Sequence, residues 1–340
     1  MTDAPKHMND LAALLADQPG VGDAAMAAAR AREGTLTKPP GALGRLETLS
    51  EWMAGWQDRA SPRIDHPDVI VFAGNHGVAA RGVSAYPAEV TAQMVANFEA
   101  GGAAVNQLSA VAGAAFRIIP IDLDTPTADF TSAPAMSEAG FMEAFLIGWD
   151  AVDSKTDLLA IGEMGIANTT SAAAVCHALF GGTATDWTGP GTGVSGTAFS
   201  TKARIVAEAV AYHQNAASGP LDILRRLGGR ELAAMAGAVV SARYKRCPVL
   251  IDGYVCATAA AALAMACPGS LDHTQAAHVS AEPGHRRLLG ALGMEPLLDL
   301  GMRLGEASGA ALAINIVRSA VACHNGMASF ADAGVSDKPA

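Results

Sequence analysis

The sequence predicts an α/β protein: a doubly wound, mainly parallel sheet of about six strands, with a small helical domain built from both termini. Two observations carry this. Short apolar runs that end on glycine alternate with alanine-rich helical stretches, as in strand–helix–strand units whose strands are buried on both faces. Helical periodicity without strands occupies both ends of the chain, which sets residues 1–60 and 290–340 apart from an α/β domain at 61–289 that carries the active site.

In order, residues 8–33 read as one or two amphipathic helices broken near Gln18, Pro19 and Gly20. In the stretch Thr37 to Glu47, Pro39 and Pro40 forbid a helix, and Gly41 and Gly44 leave backbone that another group can approach closely. A helix follows from about Leu43 to Arg59, and Pro62 ends it. Val69 to Ala73 is the first strand, and Gly74-Asn75-His76-Gly77-Val78 is the loop at its carboxyl end, where open α/β sheets bind ligands. Tyr86 to Met94 starts the next helix, which runs to about Phe98. Phe116 to Ile121 is the second strand, and residues 123–140, rich in Thr, Ser, Ala and Pro, form an irregular excursion.

Leu158 to Ile161 is the third strand. Gly162 and Gly165 break it around Glu163, and Asn168, Thr169, Thr170 and Ser171 are candidate N-caps for the alanine-rich helix that follows. A strand, a glycine turn and a helix start together suit an anion, because free N–H groups and the helix dipole point at the turn. Thr183 to Trp187 reads as a short fourth strand leading into the glycine-rich loop Gly189 to Gly193, with Lys202 at the start of the next helix. Val249 to Asp252 and Ala276 to Val279 complete the strands. The last helix, about Ser308 to His324, is apolar on nearly every face and must be covered on most sides. That helix and the alanine-rich N-terminal ones predict a homodimer.

Composition narrows the function. With 23 basic and 33 acidic residues the net charge is −10, and the pairs Arg225-Arg226 and Arg286-Arg287 form no basic stripe, so nucleic acid is not an expected partner. The five cysteines show no CxxC and no ligand spacing, which predicts reduced thiols in a cytoplasmic protein. Residues Met1 to Lys6 lack the apolar stretch of a signal peptide, and the run Ala257 to Ala266 falls short of the about 20 residues that span a bilayer. Neither HxxxH nor HExxH occurs, and GxGxxG after the first strand, a Walker A loop and a nucleophile elbow are also missing, so no metal or cofactor is expected. His76 reads as a structural hydrogen-bonder. There remain two acids in Gly-Glu contexts, Glu163 and Glu306, and the Gly189 to Gly193 loop with Lys202, a phosphate cradle with a point charge. Together they suit a phosphorylated sugar substrate and a carboxylate base.

Four motifs then carry a resemblance: Lys38 to Glu47, Gly74 to Val78, Gly162 to Thr170 and Arg303 to Leu312. In this order, from about residue 30 to 335, the chain resembles the nicotinate-nucleotide:dimethylbenzimidazole phosphoribosyltransferases of cobalamin synthesis. The resemblance implies transfer of phosphoribose from nicotinate mononucleotide to dimethylbenzimidazole, giving α-ribazole 5′-phosphate and nicotinate. It also implies a Rossmann-like parallel sheet, a helical domain from both termini and a homodimer. By motif, Glu306 matches the general base and Glu163 the second active-site acid. Lys202, Gly191 and Ser280 match the phosphate site, Gly165 and Asn168 of the glycine turn count with them as substrate-binding residues, and Leu304, Met164 and the Tyr86 to Met94 segment fall on the base pocket. Asn75 stands where other members carry Asp, and the Tyr86 to Met94 segment departs from some members. Other readings remain: a related transferase with a different azole or phenolic acceptor, or a non-catalytic nucleotide-binding paralogue.

The chemistry suits the same residues. A pyridinium ring leaves neutral and needs no general acid. An imidazole-type acceptor attacks with one nitrogen and loses the proton of the other, for which one carboxylate within reach is enough. Glu306 lies just before a helix that Ser308 is placed to cap, so the dipole is expected to hold it ionised.

Overall fold

The computed structural model describes residues 4–191 and 193–336. Thr192 of the second glycine loop lies outside them, as do Met1 to Asp3 of the expected leaderless N-terminus. Five strands, β1 (Pro67–Ala73), β2 (Ala115–Pro120), β3 (Leu158–Met164), β4 (Val249–Ile251) and β5 (Thr274–Ala276), form one sheet in the order β2-β1-β3-β4-β5. Every pairing is parallel.

The fourth strand expected at Thr183 to Trp187 is a helix. Thr183 accepts a hydrogen bond from the Asp186 amide, while the Asp186 carboxylate takes the Thr183 N–H, and this reciprocal cap starts the helical turn Ala184–Trp187. Tyr86 is likewise not helical: the helix begins only at Val90, after Pro87, and runs to Glu99. The strand expected at Ala276 to Val279 pairs earlier, over Thr274–Ala276, in register with β4.

Strand alternation sends the two faces of the sheet into two cores. Ile70, Phe72, Leu159, Ile161, Val249 and Ile251 pack with the helices Glu138–Ala151, Asn168–Phe180, Arg230–Tyr244 and Tyr254–Ala266. Val69, Val71, Leu158, Ala160 and Leu250 pack with the helices Arg45–Gln57, Ala104–Val111 and Ser308–Gly326. The last helix, apolar nearly all round, is therefore covered by its own chain, with Ala310, Ala313, Ile314 and Val317 fully buried.

A buried charge cluster explains the Thr37 to Glu47 motif. Lys38 Nζ lies 3.0 Å from Glu33 and 2.9 Å from Glu47. His324, in the final helix, meets Glu33 at 2.7 Å. Glu47 also accepts from the Gly41 and Leu43 amides, which fixes the turn after the two prolines. Burial alone would raise the Glu33 carboxyl, but hydrogen bonds from His324, Lys38 and Ser50 bring it below its ordinary value. The N-terminal helices are thereby tied to the C-terminal one. All five cysteines are unpaired, and among the described residues no helix is long and apolar enough to cross a membrane.

Candidate active site

The chain passes from β1 outward to β2 and then returns to place β3 on the other side of β1. Ligands of open α/β sheets sit outside the carboxyl ends of the strands at such a reversal. A cavity of about 860 Å³ opens there.

β3 runs further than its apolar sequence, because Gly162, Glu163 and Met164 keep pairing with Val71, Phe72 and Ala73. Glu163 is thus held on a strand rather than in a turn. Gly162 is required by a close approach: a side-chain carbon there would overlap the Ala307 amide, so only glycine lets the final helix begin against β3. Gly305 serves the same end with φ +79°, and a side-chain carbon on it would stand 2.5 Å from Glu163 Oε1. Glu163 and the Gly305-Glu306 turn therefore lie side by side.

Glu306 and Ala307 adopt left-handed backbone, with φ of 60° and 58°. Each such non-glycine residue stores on the order of 1–3 kcal/mol of strain that the surroundings must hold. Ala307 is the N-cap, and Ser308 is already the first helical residue, its hydroxyl donating to Gly305 O at 2.7 Å. The expected Ser308 cap is not formed.

Electrostatics also correct the expectation that the dipole keeps Glu306 ionised. Burial first, and then the Asp252 carboxylate, raise Glu306 to about 7. Asp252, at the end of β4, accepts from the Ala310 amide at 2.8 Å and lies 3.5 Å from His278. Glu163 is pushed well above its ordinary value, by burial and then by the charges of Glu231, Asp252 and Glu306, against a hydrogen bond from Asn168. Both carboxyls of the site are thus shifted toward their protonated forms, and Glu306, at about 7, is poised to change state near neutral pH.

The helix Asn168–Phe180 has Ala167, at φ 77°, as its N-cap. None of the four polar candidates caps it. The Asn168 amide goes to Glu163, Thr169 Oγ1 accepts from Lys202 at 2.8 Å, and Ser171 Oγ meets His76 Nδ1 at 2.9 Å. His76 in turn meets Glu231 at 2.6 Å, with both side chains fully buried. His76 is structural, as expected: it clamps the β1 loop beneath the cavity.

Of the residues singled out from the sequence, Glu163, Glu306, Met164, Gly165 and Asn168 line the cavity. So do Gly191, Ser280, Tyr86, Met94 and Leu304. Tyr86 and Leu304 stand at the mouth, 54% and 55% exposed. Lys202 does not line it. It falls within the helix Gly196–His213 rather than at its start, and its buried ammonium donates to Thr169 Oγ1 and to Gly189 O at 3.1 Å. Burial lowers it to about 8, and nearby Glu282 acts the other way.

Glu282, Arg303 and Thr169 were missed as lining residues. Arg303 adjoins Leu304 and donates to Gly191 O at 3.2 Å. Glu282 carries no sequence signal, since an acid argues against an anion site.

A family model described as phosphoribosyltransferase matches residues 19–335. A nicotinate-nucleotide–dimethylbenzimidazole phosphoribosyltransferase of Jannaschia sp. (strain CCS1) is 61% identical over 332 residues, covering 98% of each chain. One of Mesorhizobium japonicum is 58% identical, covering 98% of this chain and 99% of its own. A crystal structure of CobT from Thermus thermophilus superposes with a TM-score of 0.86 at 40% identity, covering 93% of this chain and 100% of that one. The chain belongs to the nicotinate-nucleotide–dimethylbenzimidazole phosphoribosyltransferase family.

Proposed function

We propose that the protein transfers phosphoribose from nicotinate mononucleotide to dimethylbenzimidazole, with inversion at the sugar carbon, releasing nicotinate and α-ribazole 5′-phosphate. The observation that carries this is the placing of Glu306 and Glu163 in one cavity, with the Glu306 carboxyl raised to about 7 and Glu163 pushed upward by burial and neighbouring acids. A base is most effective when its proton affinity sits near the working pH. Glu306 takes the acceptor's N–H proton while the other ring nitrogen attacks the ribose carbon. Glu163, shifted toward its neutral form, is placed to donate to a sugar oxygen and limits the negative charge beside the base. Met164, Leu304, Tyr86 and Met94 form the walls for the flat acceptor ring. Gly191 and Ser280 receive the phosphate, with Lys202 supporting it from behind through Thr169. Gly165 and Asn168 hold the turn that aims Glu163.

The test is the purified protein with nicotinate mononucleotide and a panel of benzimidazoles, purines and phenols, with products read by mass spectrometry. Benzimidazole riboside phosphates are expected. Products from phenols alone would favour the second reading, a different acceptor, for which the open mouth at Tyr86 and Leu304 leaves room. Absence of any product would leave a nucleotide-binding paralogue.

We propose further that the protein is a homodimer. Tyr86 and Leu304, both more than half exposed at the cavity mouth, offer an apolar rim for a second copy to cover. A stable 34.5 kDa species in sedimentation at micromolar concentration would reject it. The compartment proposed is the cytoplasm, where five unpaired thiols stay reduced. The helices of 1–60 and 290–340 are proposed to act as one small domain beside the α/β domain of 61–289.

A further inference from the structure

Glu282 is a buried acid in the middle of the cradle assigned above to phosphate. It stands in the loop between Ser280 and the helix Pro283–Leu292, and it is 5% exposed. Its Oε1 accepts the Gly191 N–H at 2.9 Å. Its Oε2 is buried without a hydrogen-bond partner and fills the space where a side-chain carbon on Gly189 would go. The Gly191 amide is the kind of backbone donor that a phosphate oxygen takes. Here the Glu282 carboxylate holds it instead.

The surroundings are cationic on two sides. Lys202 faces Glu282 from the helix Gly196–His213, and Arg303 from the turn before the last helix. Tyr254, whose hydroxyl donates to Trp187 O, faces it from a third side. His285, one turn along, accepts from the Ser280 amide and keeps the loop bent. A phosphate dianion placed here adds two negative charges beside a carboxylate that is already buried. Like charges at such range cannot both persist in a buried site.

We propose that Glu282 is a resident anion of the cradle: it holds the Gly191 N–H while the site is empty, then yields it and takes a proton from solvent when a phosphate monoester enters. The loop is kept formed before substrate arrives, and the phosphate exchanges one carboxylate for itself rather than ordering a loose loop. Burial already raises the Glu282 carboxyl, against the pull of Lys202, the Gly191 amide and Arg303, and the phosphate charge acts in the same direction as burial. The inference rests on the reading of this cradle as the phosphate site.

The experiment is infrared difference spectroscopy of the full chain at about pH 8, above the second phosphate ionisation near 6. Nicotinate mononucleotide and inorganic phosphate are the probes. The carbonyl band of a protonated carboxyl should appear on binding in the wild type and be missing from Glu282→Gln. The glutamine keeps an oxygen for the Gly191 N–H, so the variant should bind the nucleotide about tenfold or more tightly than the wild type. A band that persists in Glu282→Gln, or none in the wild type, overturns the proposal. Nucleotide binding tenfold weaker in Glu282→Gln overturns it too, because Glu282 would then be a loop anchor only. Nicotinate riboside, which lacks the phosphate, separates the underlying reading: riboside binding as tight as that of the nucleotide removes the cradle itself, whereas much weaker riboside binding, together with no carbonyl band when the nucleotide binds the wild type, removes only the role of Glu282.

Discussion

Glu306 gives the sharpest expectations at the scale of single residues. As the base it must be ionised, so the rate of the chemical step should rise with pH through about 7 and level off above. Asp252→Asn removes the charge that helps hold Glu306 up, and the rise should move to lower pH in a single-turnover pH profile. Glu306→Gln should slow the chemical step by roughly 10²–10⁴-fold. Slowing of less than about tenfold would reject the base. The same substitution should stabilise the fold. Glu306 binds its proton more tightly folded than unfolded, so burying the ionised form is a penalty that grows between pH 4.5 and about 7 and is fully present above. Calorimetry at about pH 8 should show Glu306→Gln more stable by on the order of 1–3 kcal/mol, and level with the wild type in acid.

Among the elements, the start of the last helix is the point of greatest constraint. Gly162→Ala puts a carbon where the Ala307 amide sits, and backbone cannot move aside as a flexible side chain can. We expect about 1–3 kcal/mol of lost stability, the range for overpacking, and a larger proportional loss of activity, because the shift falls on Glu306. Denaturant melts beside kinetics check this; full activity in a destabilised protein would show that the turn adjusts freely. Four strands were legible from their apolar runs, and so was the site loop after each of β1 and β3. The helix Ala184–Trp187 was not, since Thr183 and Asp186 act by a cap that a run of five residues hides. Asn168, Thr169 and Ser171 looked like caps and instead reach Glu163, Lys202 and His76, the last two being contacts between residues far apart in sequence. Lys202 behind its loop and Glu282 within the cradle are likewise products of packing, which periodicity does not encode.

For the whole molecule, the Lys38 cluster joins the two ends of the chain. Lys38 and its partners Glu33 and Glu47 are largely out of water, and His324 shares Glu33. Removing one partner of a buried ion pair strands the other, at about 3–5 kcal/mol. Lys38→Met should therefore lower the midpoint of thermal unfolding for the molecule as one unit, since the cluster ties helices that cover the sheet. An unchanged midpoint would mean that the carboxylates find other partners or water.

The last helix also bears on how the chain is made. Residues Val69, Val71, Leu158, Ala160 and Leu250 wait for Ala310, Ile314 and Val317 to cover them. During synthesis this face, which the helices Arg45–Gln57 and Ala104–Val111 cover only in part, therefore stays partly bare until the helix Ser308–Gly326 has been made. A growing chain in that condition is a natural client for chaperones, and exposed surface of this kind drives aggregation. A chain stopped at residue 307 should accumulate as insoluble material although every strand of the sheet is already present.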